Sequence, residues 1–181
     1  MKIYTPSFEE LNFCYELEKS FSSNSEDANE KGFFLPGASF KVYEDLHDTG
    51  YIKVLSQGSN LVGFVMVVPP KHQILSRLLI NNESLIWFDS EQLYPNVDNC
   101  YWIAKIAVKA EFMRFGYAKA LYEDVFENFD GLTALTATAV SPLRNHASEN
   151  FHRALGLKAC GLFLSGTKGE LTNIVNILWR K

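Results

Sequence analysis

Apolar positions recur in two rhythms along this chain, and each change of rhythm marks an element. Lys2 to Thr5 alternates briefly, as a short strand does. Pro6-Ser7 then opens FEELNFCYELEKSF, a helical pattern in which Ser7 is followed three residues later by Glu10, the sequence form of a capping box. SSNSEDANEKG is a polar loop, and SFKVYEDLHDTG reads as a second helix stopped by Gly50, both helices being acidic on their outer faces. YIKVLSQGSNLVGFVMVVPP holds two β-rich runs about the turn Gln57-Gly58-Ser59-Asn60, a hairpin ended by Pro69-Pro70. Residues 71 to 98 are less regular. ILSRLLI suits a helix, and SLIWFDSEQLYPNVDN mixes strand and loop character, in a connection long enough to serve function.

Beyond residue 100 the units are sharper. YWIAKIAV is a strand that passes through a turn into RFGYAKALYEDVFENF, where Ala118, Leu121, Val125 and Phe129 have helical spacing. TALTATAV is the next strand. Ser141-Pro142 predicts a cap, with proline in the first turn of the helix RNHASENFHRALG, which Gly156 ends. ACGLFLSG and LTNIVNILWRK close as a hairpin about Thr167-Lys168-Gly169-Glu170. The order β-α-α-β-β-β-α-β-α-β-β predicts an α/β fold in one domain over residues 1–181, with a mixed sheet of about seven strands and helices on both faces.

Composition narrows the class. A length of 181 residues fits one domain, and 14 Phe in a chain 47% hydrophobic supply a substantial core. A net charge of −4 argues against a nucleic-acid partner, which needs clustered Lys and Arg. The charge is unevenly spread: residues 1–50 hold ten acids against four Lys or Arg, and residues 101–181 hold ten Lys or Arg against seven acids. That asymmetry suits two ligands of opposite charge meeting at one site, or simply two solvated faces. Cys14, Cys100 and Cys160 are odd in number, far apart, and have no metal-ligand spacing to His47, His72, His146 or His152, so reduced thiols, a cytoplasmic location and no metal are expected. The N-terminus carries acids where a signal peptide is apolar, and no run reaches the roughly 18 apolar residues of a span, so no membrane association is expected.

The chemistry concentrates in AEFMRFGYAK. A helix starting straight after a strand offers unpaired backbone N–H groups and a positive dipole end to an anion such as a pyrophosphate. Gly116 permits close backbone approach, and Ala118 keeps the first turn free of bulk.

This stretch resembles the central signature of the GNAT family, the Gcn5-related N-acetyltransferases: Q/R-x-x-G-x-G/A after a strand ending in apolar residues and Val. Ile106-Ala107-Val108 supplies the strand end, Gly116 and Ala118 the small positions and Leu121 the next apolar one, while Met113 departs from the Gln/Arg position and Arg114 stands beside it. RNHASENFHRALGL is similar to the family's later helix, N-x-x-A/S-x-x-x-Y-x-x-x-G-F, at Asn145, Ser148, His152, Gly156 and Leu157. Asn145, Ser148 and His152 share one helical face, and Phe151 and Leu155 point to the core, which predicts a polar row open to a ligand.

The resemblance implies acetyl-CoA as co-substrate and a small-molecule or peptidyl primary amine as acceptor, with a homodimer allowed. It implies a donor site of Ile106, Val108, Met113, Arg114, Phe115, Gly116, Tyr117, Ala118, Asn145 and Ser148, the pyrophosphate lying on residues 113 to 118 and the pantetheine arm along the strand edge. Catalysis falls to the Val108 backbone N–H, for the oxyanion, and to His152, in place of the family's usual tyrosine, for the leaving thiolate. An imidazole titrates near 6.5, so His152 is expected to be mostly neutral at neutral pH. The base is left open among Asp89, Glu91 and Asp98, and Tyr101 and Trp102 are candidates for the acceptor pocket. The alternative is an acyl-CoA-binding regulatory module without turnover.

Overall fold

Reciprocal bonds between Ser7 and Glu10 close the turn that leads into the first helix. In the computed structural model, which describes residues 1–21, 23–36, 39–80, 83–88 and 96–181, the Ser7 amide donates to the Glu10 carboxylate at 2.8 Å and the Glu10 amide to the Ser7 hydroxyl at 3.3 Å. The box expected from the sequence is formed, but in the turn ahead of the first helix, which begins only at Leu11 with no side-chain cap at Glu10. The elements in order are β1 (Lys2–Tyr4), α1 (Leu11–Ser20), a single turn α2 (Ala28–Lys31), α3 (Phe40–Thr49), β2 (Tyr51–Gln57), β3 (Asn60–Val68), α4 (Gln73–Leu79), β4 (Leu85–Trp87), β5 (Cys100–Val108), α5 (Tyr117–Asn128), β6 (Thr133–Ser141), α6 (His146–Ala154), β7 (Lys158–Lys168) and β8 (Leu171–Arg180).

The strands form one sheet in the order β1-β2-β3-β5-β6-β8-β7-β4. Only the β5–β6 pair is parallel, as the crossover through α5 requires, and the rest are antiparallel. The eighth strand is β4, drawn from the irregular 71–98 segment and laid on the edge of β7 with Leu85 opposite Phe163. Alternation along β3 divides the core. Phe64, Met66 and Val68 pack with Leu11 and Leu17 of α1 and Tyr43 and Leu46 of α3 on one face, while Val65 and Val67 pack with Leu121, Tyr122 and Val125 of α5 on the other. Cys14, Cys100 and Cys160 are buried free thiols.

The start of the last helix moves too. Ser141 ends β6, Pro142 follows through a cis peptide bond, and α6 starts only at His146. The cap is Asn145, whose side-chain oxygen accepts the Ser148 N–H at 3.0 Å. An amide side chain at that position competes better for the first-turn donors than a serine four residues earlier.

The feature that positions the site is a gap in the sheet. Strands β5 and β6 pair only from Cys100–Trp102 to Thr133–Leu135. Past that point β5 carries a bulge: Met66 faces Lys105 and Val67 faces Ile103, leaving Ala104 as the extra residue. A bulge bends its strand, and here it turns β5 away from β6. The Thr136 hydroxyl reaches across the opening to the Ile103 carbonyl at 2.9 Å.

Candidate active site

The open edge of β5 presents two backbone donors. Lys109 N–H bonds the Val62 carbonyl at 2.8 Å while Gly63 lies opposite Val108, which makes Gly63–Val108 a non-hydrogen-bonded pair. In antiparallel pairing the N–H groups of such a residue, and of the residue two back, point away from the partner strand. Val108 and Ile106 therefore direct their N–H groups into the gap.

A cavity of about 560 Å³ runs from this edge to the start of α5. Met113, Arg114, Gly116, Tyr117 and Ala118 line it. Arg114 and Gly116 have φ of +67° and +85°, and the left-handed value at Arg114 is an uncommon conformation of the kind found where a ligand is clamped. Gly116 is the residue before α5 and offers no side-chain acceptor, so the first-turn N–H groups are left for something else. A Cβ built on Gly116 meets nothing within 4 Å. Lys31, Arg114 and Lys119 add positive charge to the lining, and Ala147, Ser148 and Phe151 of α6 form part of the far wall. Phe115 does not line the cavity. It is 71% exposed and stacks on Tyr117.

A second cavity, of about 220 Å³, meets the first at Phe33, Phe34, Ile106 and Ser148. Its wall includes Trp102, one of the two aromatics named above as candidates for an acceptor pocket. Tyr101 faces the other side of the sheet, buried and stacked on Phe129 at 4.6 Å. Asp98 is exposed and lines neither cavity, and Asp89 and Glu91 lie outside the described residues.

The polar row of α6 is not an open one. His152 is 3% exposed. Its Nε2 lies 2.8 Å from the Tyr122 hydroxyl and its Nδ1 3.0 Å from the Thr138 hydroxyl. Trp179 donates its indole N–H to the same Thr138 oxygen at 3.1 Å. Thr138 keeps its own proton bonded only by donating to Nδ1, so the network places the imidazole proton on Nε2, facing Tyr122. Burial holds the His152 pKa down at about 4, which makes the ring a neutral hydrogen-bonding unit rather than a reservoir of protons. The Tyr122 hydroxyl accepts from Nε2 and has the Thr136 hydroxyl as a second hydrogen-bonding neighbour; burial pushes this phenol up. Asn145 is likewise committed: beyond capping Ser148, its amide donates to the Phe33 carbonyl at 3.0 Å. The row expected to open on a ligand thus turns Asn145 and His152 toward the sheet, while Ser148 and the Phe151 and Leu155 expected in the core line the large cavity.

Two further residues went unseen in the sequence. Glu18, one of the supposed outward acids of α1, is buried and lines the small cavity with Lys105. Its Oε2 accepts from both Lys105 and the Tyr43 hydroxyl. Tyr122 follows Leu121 in the core pattern of α5, and only the rule that a buried phenol needs a partner hints at more. Among the described residues no group of three or more His, Cys, Asp or Glu is arranged to hold a metal, and no helix is long and apolar enough to cross a membrane.

Residues 9–157 match the model of the acetyltransferase (GNAT) family. The chain belongs to that family. It is an acyl-CoA-dependent N-acetyltransferase. The fold is similar to that of the ribosomal-protein-S18-alanine N-acetyltransferase of Escherichia coli, at 14% identity and a TM-score of 0.63 over 99% of this chain and 91% of the other. It is also similar to Arabidopsis thaliana NAA60 in complex with acetyl-CoA, at 12% identity and a TM-score of 0.66 over 99% and 97%. Chaetomium thermophilum Naa20, bound to a bisubstrate analogue, gives 13% identity and a TM-score of 0.69 over 100% and 86%. No protein with a curated description matches the sequence.

Proposed function

We propose that this GNAT protein acetylates a primary amine of a small molecule or peptide, held in the small cavity, with acetyl-CoA held in the large one. The observation that carries the reading is the open edge of β5, whose Ile106 borders both cavities. A donor whose phosphates rest on the turn at 113–118 and whose arm follows that edge ends where the second cavity begins. Relatives crystallised with acetyl-CoA and with a bisubstrate analogue share this fold.

In this arrangement the Val108 N–H serves the pantetheine arm and the Ile106 N–H the thioester oxygen, because Val108 borders the large cavity alone. This exchanges the roles that the sequence suggests. Attack by the amine forms the C–N bond, charge gathers on the oxygen held by Ile106, and the C–S bond breaks. The departing sulfur meets the Tyr122 hydroxyl, held by the Nε2–H of His152. His152 is then a positioning residue, and Tyr122 stabilises the thiolate by a hydrogen bond. The raised phenol pKa suits such a donor better than an acid that parts with its proton. Asn145 keeps Ser148 and the Phe33 segment in place at the junction of the cavities.

Thiol release from acetyl-CoA, followed with a panel of primary amines and with none, tests the reading. Release that depends on an amine, with an acetylated product found by mass spectrometry, is expected. Tight CoA binding with no release across the panel would favour a binding module without turnover.

A further inference from the structure

The small cavity holds one carboxylate and one ammonium already paired with each other. Glu18 reaches it from α1 and Lys105 from β5, one residue past the bulge that opens the sheet. Tyr43, itself fully buried, fixes Glu18 by donating to the same Oε2 that Lys105 uses, so both bonds on this carboxylate fall on one oxygen. The Lys105 ammonium also lies 5.2 Å from the centre of the Tyr43 ring and 6.0 Å from that of Phe34. A buried ion pair is poor value for stability, since desolvation offsets most of its attraction. Its place in the acceptor wall gives it another use.

Consider what each class of amine does to this pair. A simple alkylammonium draws Glu18 from Lys105 and leaves two cations sharing one buried carboxylate. A ligand with a carboxylate alone gives the mirror-image excess. A zwitterion exchanges partners, ammonium to Glu18 and carboxylate to Lys105, and buries no net charge.

We propose that the Glu18–Lys105 pair is an acceptor-recognition site for a free α-amino acid, Glu18 taking the ammonium and Lys105 the carboxylate. This rests on the acetyltransferase reading of the same gap. Phe34, Leu35, Trp102 and Phe163 line the cavity beside the polar Ser165 and Asn176, and these four offer an apolar surface to the side chain. The reaction also clears the site. The ammonium gives one proton to solvent through Glu18, the free amine attacks the thioester, the C–N bond forms and the C–S bond breaks. The second amine proton balances the leaving thiolate, so the products are the N-acetyl amino acid, CoA thiol and one released proton. The acylated nitrogen no longer carries charge for Glu18, and Lys105 returns to its first partner as the anionic product leaves.

The test compares apolar amino acids with the amines formed by removing their carboxylate and with their carboxamides, using thiol release from saturating acetyl-CoA. The free amino acid is expected to exceed both analogues in kcat/KM by roughly 30-fold or more, the scale of losing one desolvated charge partner. Lys105→Met should shift that ratio at least about tenfold toward the decarboxylated amine, which then has Glu18 to itself. Equal or better turnover of carboxamides or decarboxylated amines by the wild-type protein overturns the proposal while leaving acetyl transfer standing, as does an unshifted ratio in a folded Lys105→Met variant. The wild-type comparison decides the matter even if that variant does not fold. Turnover of no amine at all, with CoA bound, removes both this proposal and the acetyltransferase reading beneath it.

Discussion

Nε2 of His152 in α6 and the hydroxyl of Tyr122 in α5 lie 2.8 Å apart in the core, so the two helices that flank the gap share one hydrogen bond at its wall. If Tyr122 serves the departing sulfur, Tyr122→Phe should lower kcat by about 10- to 100-fold and leave CoA affinity within a few-fold. His152→Phe should cost less, because the phenol survives without its support. Steady-state kinetics with acetyl-CoA and the best amine check both. A larger loss in the His152 variant than in the Tyr122 variant would return the direct role to the imidazole.

The same burial has a consequence for stability. The folded protein holds His152 at about 4, against 6.5 for an ordinary imidazole. The unfolded chain therefore binds the extra proton across that window, and stability falls as pH drops from 6.5 to 4. The shift is worth up to about 3 kcal/mol. Denaturant unfolding across this range should show the loss in the wild type and a shallower slope in His152→Phe. Equal slopes would mean that His152 titrates in water.

Asn145 joins the start of α6 to the segment at Phe33 through two bonds of one amide. Asn145→Ala removes a helix cap and leaves a buried carbonyl without its donor, so a loss of about 1 to 3 kcal/mol is expected. CoA binding should weaken by about two- to tenfold, because Gly32, Phe33 and Phe34 line the large cavity. Unchanged unfolding would show that the cap is dispensable.

Much of this architecture is local and so was legible. The Ser7–Glu10 box, the hairpin about Gly58 and the glycine before α5 each rest on contacts within a few residues. The strand-to-helix turn at 107–118 could be read for the same reason, since its chemistry is that of the backbone. What was not legible depends on which way a face turns. Spacing puts Asn145, Ser148 and His152 in one row, but only the sheet beneath α6, through Thr138 and Trp179, decides that His152 is buried. Glu18 is one acid among several in α1, and nothing nearby in sequence announces Lys105, 87 residues away.

The account stands on the claim that the donor's phosphates lie against the backbone of the β5–α5 turn, and titration calorimetry of CoA with Gly116 variants tests it most directly. Space beside Gly116 is open, so a side chain there meets a ligand before it meets the protein. Gly116→Asn tolerates the left-handed φ, and Gly116→Val does not, so the pair separates bulk from backbone strain. Both should weaken CoA by about 30-fold or more, with the Asn variant keeping nearly the wild-type melting temperature. Wild-type affinity for CoA in a folded Gly116→Asn protein would place the phosphates elsewhere and contradict the account.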